Sequence, residues 1–277
     1  MDKTIDTQML KRKAAETRKN IIKIAYNAIG PTHPGPALSC ADIITALYYY
    51  SMNINPLSPH WEDRDRFILS KGHACPAIYS VLAQLGFFPE KWLKSVRGIN
   101  SNLQGHPDMN KTPGIDMTTG SLGNGLSIGL GMAYYLSNRK KDSKVYVLIG
   151  DGECQEGAIW EAAMSASALD LDNLICIIDN NHFQSCGETE KIVSMDPIAD
   201  KWKAMKWNTI KIDGHNMNDI IKALESAGGT IGKPTVIIAE TIKGKGISFM
   251  ENNNAWHQKS LSEDQYIKAI LECEVHI

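Results

Sequence analysis

No two cysteines of this 277-residue chain form a C-x-x-C pair, and its six (Cys40, Cys75, Cys154, Cys176, Cys186 and Cys273) make no zinc-like cluster. Several lie in apolar stretches, where a reduced thiol serves as a small hydrophobe, the usage expected of a reducing cytoplasm. Charge of neither sign dominates: 29 Lys and Arg against 31 Asp and Glu give a formal charge of −2. That balance leaves no overall field for nucleic acid or polyanions, so any bound anion must be held by local groups. No run approaches the ~18 apolar residues of a membrane span. The opening stretch MDKTIDTQMLKRKAAETRKN is polar and mixed in charge, without the apolar core of a signal peptide. The expectation is a soluble, cytoplasmic protein with neither a membrane nor a nucleic-acid partner. Internal repeats, low-complexity tracts and obvious linkers are missing too, and 43% hydrophobic residues suffice for one large core. A single domain over residues 1–277 is expected.

Leu10, Ala14, Thr17, Ile21, Ala25 and Ala28 recur at steps of three and four, which predicts an amphipathic helix ending near Gly30. ADIITALYYYSM (41–52) predicts a second helix, and SEDQYIKAILECEV (262–275) a terminal one. Between them stand short apolar runs at 145–150 (VYVLIG), 174–179 (LICIID), 208–213 (NTIKID) and 235–240 (TVIIAE), separated by segments of helical length. Such runs belong to strands covered on both faces, hence to an α/β fold with a parallel sheet and helices on both faces.

The first run ends in GDGECQEG (150–157), with Asp151 between two glycines. Ligands of open parallel sheets bind outside the carboxyl ends of the strands, and a glycine there lets backbone approach closely. The helix that follows presents unpaired N–H groups suited to phosphate. A carboxylate at that place repels phosphate, a conflict that a bridging divalent cation removes, since Mg²⁺ is held by one or two carboxylates together with substrate phosphates. The next strand ends in DNN (179–181), with Asn181 thirty residues after Asp151. A right-handed crossover of that length brings two strand ends to one metal. Taken alone, DNN reads equally as a turn and GDG as a tight turn. The glycine cluster of TTGSLGNG (118–125) reads G-x-x-G-x-G, not the dinucleotide fingerprint G-x-G-x-x-G.

GDG followed about thirty residues later by Asn resembles the thiamine diphosphate motif. Further segments, HPGPALSCADI (33–43), WEDRDRFILSKGHACPAIY (61–79), LQGHPDMNKTPGIDMTTGSLGNGLSIGLGMA (103–133) and IKGKGISFMENNNAWH (242–257), resemble the N-terminal half of a transketolase, and together they cover essentially the whole chain. The likeness is greatest to transketolases encoded as two chains. It implies a thiamine diphosphate-binding fold, with Mg²⁺ (or another divalent cation such as Ca²⁺) held by Asp151, Asn181 and the backbone carbonyl of Phe183. It implies also that Gly152, Gly120, Ser121 and Leu122 lie against the cofactor. Glu156 matches a family glutamate buried between two active sites; without the resemblance it is a first-turn glutamate favoured by the helix dipole.

Of eight histidines, His60, His182, His215 and His276 stand in polar or terminal contexts that predict solvated or capping roles. His33, His73, His106 and His257 lie in loops marked by Gly or Pro, where a histidine on its own is also read as solvated. The resemblance instead turns these four toward cofactor and sugar: His33, His106 and His257 as catalytic groups on the substrate, with His257 also touching the cofactor, and His73 nearer the cofactor. Imidazole suits chemistry that moves protons on sugar oxygens near neutral pH. The implied reaction passes a two-carbon ketol unit from a ketose phosphate to an aldose, with the cofactor as electron sink.

The activating glutamate over the aminopyrimidine, and the groups for the sugar phosphate, belong in the family to a later domain. A separate C-terminal subunit carrying that pyrimidine-binding domain is therefore the expected partner, with two copies of each chain. Two departures from the usual pattern, THPG (32–35) and WHQ (256–258), point to altered donor specificity. The rival readings are a 2-oxo acid dehydrogenase subunit or 1-deoxyxylulose-5-phosphate synthase, a non-catalytic interaction protein keeping the fold, and a metal-dependent phosphatase. GDGECQEG and LQGHPDM weigh against the first pair, the intact Asp151, Asn181 and histidines against the next, and TTGSLGNG against the last.

Overall fold

The computed structural model describes residues 6–274, so His276 and Val275 of the expected terminal helix lie outside the described residues. Five parallel strands form the central sheet: β1 (Arg66–Leu69), β2 (Val145–Gly150), β3 (Leu174–Asn180), β6 (Asn208–Asp213) and β7 (Thr235–Glu240), in spatial order β1-β2-β3-β7-β6. A two-stranded antiparallel hairpin, β4 (Phe183–Gln184) with β5 (Gly187–Glu188), follows β3 directly.

Strand side chains alternate between two apolar layers. Tyr146, Leu148, Ile175, Ile177, Ile237 and Ala239 enter one core with helices α1 (Thr7–Asn27), α2 (Pro34–Ser39), α3 (Ala41–Ala46) and α4 (Cys75–Gln84). Val147, Ile149, Cys176, Ile178, Val236 and Ile238 enter the other, with α5 (Asn124–Asn138), α6 (Gly157–Ala168) and, beyond the short α7 (Thr189–Val193), α8 (Ile198–Ala204). Helices α9 (Met217–Gly228) and α10 (Glu263–Glu274) join the first layer. Burial on both faces is why these runs show no polar alternation. Each fully buried Val, Leu or Ile side chain contributes about 1.5–3 kcal/mol.

The first expected helix forms as α1, started by Asp6, whose carboxylate accepts from the Met9 N–H at 2.9 Å. The second does not run as one α-helix: α3 stops at Ala46 and continues as a π-helical turn over Leu47–Ser51. NTIKID is not covered on both faces either. As β6 it is the sheet edge, with Lys211 and Asp213 exposed and only Ile210 and Ile212 meeting the core. The four-residue β1, RFIL, gave no separate strand signal because it is shorter than the other runs. All six cysteines are free thiols. Among the described residues no helix is long and apolar enough to cross a membrane.

Sheet register fixes the site. Leu69 pairs with Leu148, Gly150 with Asp179, and Asn180 with Glu240. The residues just past the carboxyl ends of β1, β2, β3 and β7 are therefore Ser70 and Lys71, Asp151, Asn181, and Thr241, gathered along one edge of the core.

Candidate active site

A cleft of about 330 Å³ opens at this edge. His33, His73, His106, Gly120, Leu122, Asp151, Gly152, Glu156, Asn181, Phe183 and His257 all line it. Ser121 is the exception: it is exposed, and its Oγ and carbonyl accept from Asn124 Nδ2 at 3.0 and 3.2 Å.

At the floor, Asp151 and Asn181 are buried side by side with Asp179. Asp151 Oδ2 accepts from Thr189 Oγ1 at 2.9 Å. Asn181 donates through Nδ2 to Asp179 Oδ2 at 3.1 Å and accepts at Oδ1 from the Phe183 N–H at 3.2 Å. Burial and the neighbouring Asp179 carboxylate push the Asp151 carboxyl up to about 6. The side-chain oxygens of Asp151 and Asn181 are hard donors of the kind a Mg²⁺- or Ca²⁺-sized cation takes, whereas both oxygens of Asp179 are already engaged by protein donors. Among the described residues no cluster of three His, Cys, Asp or Glu forms a metal cage.

Beneath that floor, Lys71 donates to Asp179 Oδ2 and, at 3.0 Å, to the Pro36 carbonyl. Asp179 accepts further from Ser39 Oγ at 2.5 Å and from Thr241 Oγ1. Burial alone would raise its carboxyl; Lys71 and these hydrogen bonds hold it below its ordinary value. Glu153, equally buried, accepts from Ser70 Oγ, from the Gly123 N–H at 2.9 Å and from the Gly150 N–H at 3.1 Å. It joins the ends of β1 and β2 to the glycine loop before α5. Lys71, Asp179, Glu153 and Lys243 carry no motif signal of their own, although SKGH, DNN, GDGE and IKGKG contain them.

The four loop histidines converge. Ring centroids are 5.2 Å apart for His33 and His73, 5.5 Å for His33 and His257, 5.3 Å for His73 and His257, and 6.3 Å for His33 and His106. His33 directly precedes α2, with Pro34 preset at the first helical position. Burial, then His106 and Arg97, lowers the His33 imidazole to about 4; burial, then Lys243 and His33, lowers His257 to about 3. His73 and His106 are lowered too, chiefly by burial. Burial thus favours the neutral imidazole at all four in the free chain.

The remaining histidines separate as well. His60 is exposed, and His182 Nε2 lies 3.0 Å from Glu240 at the surface. His215 is not solvated: its Nε2 accepts from the Ile242 N–H at 2.8 Å, so Nδ1 carries the proton toward Asp42 Oδ2 at 2.8 Å. It ties α3 to the loop after β7.

Two glycines are required by packing around the cleft. A Cβ on Gly152 would stand 2.8 Å from Gln184 Cβ, and one on Gly120, at φ +144°, 3.0 Å from the His106 ring. The departures at THPG and WHQ are neighbours, because Thr32 and Lys259 form an antiparallel bridge in which the Lys259 N–H donates to the Thr32 carbonyl at 3.0 Å.

Residues 11–272 match the sequence profile of the transketolase thiamine diphosphate-binding domain. The chain belongs to the transketolase family. It is 45% identical, over 89% of its length and 90% of the relative's, to the 6-deoxy-6-sulfo-D-fructose transketolase subunit SqwG of Clostridium sp. (strain MSTE9). It is 40% identical, over 99% and 96% of the two lengths, to an apulose-4-phosphate transketolase subunit of Phocaeicola vulgatus. Mouse transketolase is also 40% identical, but the match takes in 96% of this chain and only 42% of that one. Among solved structures, transketolase of Campylobacter jejuni superposes with a TM-score of 0.88 at 31% identity, over 96% of this chain and 43% of that chain. The fold class and the family expected from sequence are both met, and the chain spans under half the length of the single-chain transketolases it matches.

Proposed function

We propose that the cleft holds thiamine diphosphate and a divalent cation, Mg²⁺ or Ca²⁺, and that the chain is the N-terminal subunit of a two-chain transketolase. Asp151, Asn181 and the Phe183 carbonyl would hold the cation. Gly152, His73 and the Gly120–Leu122 segment would lie along the cofactor, with Ser121 contributing backbone, since its side chain is turned to Asn124. When bound, the cofactor supplies the electron sink for breaking the bond beyond the ketose carbonyl.

The chain's own contribution is to exclude water and direct hydrogen bonds at sugar oxygens. His33 and His106, neutral and close together, donate to or accept from the hydroxyl and carbonyl oxygens of the sugar and pass its protons, and His257 directs a hydrogen bond at the same oxygens. His257 also reaches the cofactor, and Glu156, at the cleft rim, faces the second site of the assembly. The single observation that carries this reading is the meeting in one cleft of the oxygen-donor pair Asp151 and Asn181 with the four loop histidines.

A separate subunit would supply the pyrimidine-binding domain and the activating glutamate, in an assembly of two copies of each chain. Support comes from the lengths: relatives named as subunits match this chain nearly end to end, single-chain transketolases over less than half. The donor is proposed to be a ketose with an anionic terminal group, phosphate or sulfonate. The chain is read as one domain of the cytoplasm, in keeping with its free thiols. Purified chain assayed with thiamine diphosphate, Mg²⁺, a ketose phosphate and an aldose should be silent until the partner chain is added. Ketol transfer by this chain alone, with contaminating transketolase excluded, overturns the two-chain reading.

A further inference from the structure

Lys243 lies behind the histidine cluster, fully buried, and among the described residues its Nζ hydrogen-bonds to no carboxylate. Its hydrogen-bond partners are Asn254 Oδ1 at 2.6 Å, His257 Nδ1 at 2.9 Å and the Gln184 carbonyl at 3.5 Å, and the Phe183 ring centroid lies 5.6 Å from Nζ. The Asn254 amide is oriented by its other end, where Nδ2 donates to the Ser185 carbonyl at 3.1 Å, so Oδ1 is the atom that meets the lysine. An ammonium has three N–H donors and no acceptor. A carbonyl oxygen, an amide oxygen and a ring nitrogen take all three, provided Nδ1 of His257 carries the lone pair.

We propose that Lys243 is a positioning residue that locks His257 as the Nε2–H tautomer, so that this histidine offers the cleft a hydrogen-bond donor and not an acceptor. An imidazolium is disfavoured there, since it would set an N–H against the ammonium; the low value of about 3 at His257 agrees. The ring nitrogen left for the cleft then carries its proton toward whichever ligand oxygen gains negative charge. A fixed donor needs no reorientation at that moment, which is the basis of preorganised electrostatic stabilisation. The catalytic consequence rests on the proposed function, whereas the tautomer does not.

The test is long-range ¹H–¹⁵N correlation spectroscopy on the full chain labelled at histidine nitrogens, with the His257 signals identified by their loss in His257→Gln. The expected native pattern is Nε2–H. Lys243→Met should let the Nδ1–H form grow to a measurable fraction, while Lys243→Arg keeps the native pattern. In the complex with the partner chain, Lys243→Met should lower kcat about tenfold or more while changing KM less than about threefold, because misdirecting one histidine proton removes a transition-state interaction. An Nδ1–H signal in the native chain, or an unchanged pattern in Lys243→Met, overturns the proposal, and the native spectrum decides even if the variant fails to fold. Absence of ketol transfer on mixing the native chains overturns the proposed function and leaves the tautomer assignment standing.

Discussion

Lys71 and Asp179 form an ion pair with side chains 3% and 0% exposed, directly under the residues that line the cleft floor. Asp179 holds the Asn181 amide by its Nδ2, which leaves Oδ1 as the end available to a cation. Asp179→Asn should therefore act twice. Removing one partner of a buried pair leaves Lys71 uncompensated, at a cost of about 3–5 kcal/mol. Misorienting Asn181 should weaken Mg²⁺-dependent cofactor binding about 10–100-fold. Thermal unfolding and calorimetric titration read the two effects separately. Full affinity in a destabilised variant would show that Asp179 only supports the fold.

Asp151→Ala should separate binding from folding in the opposite way. The carboxylate sits enclosed beside Asp179, so its loss removes a repulsion and leaves Thr189 Oγ1 without its acceptor. The apo chain should melt within a few degrees of the native one. Stabilisation by thiamine diphosphate and Mg²⁺, which scales with ligand concentration over Kd, should vanish in the variant. A thermal-shift series at rising cofactor concentration checks this, and a native response would remove Asp151 from the site.

His33 sets a pH dependence whose sign follows from its lowered value. In the unfolded chain it takes up a proton near 6.5, whereas burial, His106, Arg97 and Lys243 delay protonation in the folded chain to about 4. Between those values the unfolded state binds more protons, so stability is complete above pH 6.5 and falls as pH drops toward 4, by about 1 kcal/mol per unit. His33→Asn cannot take up that proton. Its melting temperature should decline less than the native chain's from pH 6.5 to 4.5, and parallel curves would contradict the assignment.

The parallel sheet was legible because β2, β3 and β7 are buried on both faces, which forces continuous apolar runs whatever the loops do. NTIKID reads differently since an edge strand needs to satisfy only one face, and its Lys211 and Asp213 belong to solvent. The placement of Asp151 and Asn181 at neighbouring strand ends was legible from a motif and its spacing. Lys71, Asp179 and Lys243 were not, because a buried lysine has no sequence signature: its partner lies 108 residues away for Lys71, and Lys243 is satisfied by an asparagine, a carbonyl and a histidine. Neutral histidines were equally hidden, since their charge depends on burial and on one another.

Gly152 gives the last test, because its closest neighbour is protein. The Cβ of Gly152→Ala would lie 2.8 Å from Gln184 Cβ, an atom that cannot swing aside without moving β4. Overpacking of this kind costs about 1–3 kcal/mol, roughly a 2–10 °C fall in melting temperature for a chain of this size. Any shift of β4 also moves Phe183, which lines the cleft, so cofactor affinity should fall with stability. Gln184→Gly removes the clashing atom. If contact with β4 is the cause, the pair Gly152→Ala with Gln184→Gly should be more stable than the sum of the single changes predicts, by about 0.5–3 kcal/mol of coupling. Strict additivity, together with lost cofactor binding in Gly152→Ala, would instead mean that the glycine is needed for the ligand's own approach.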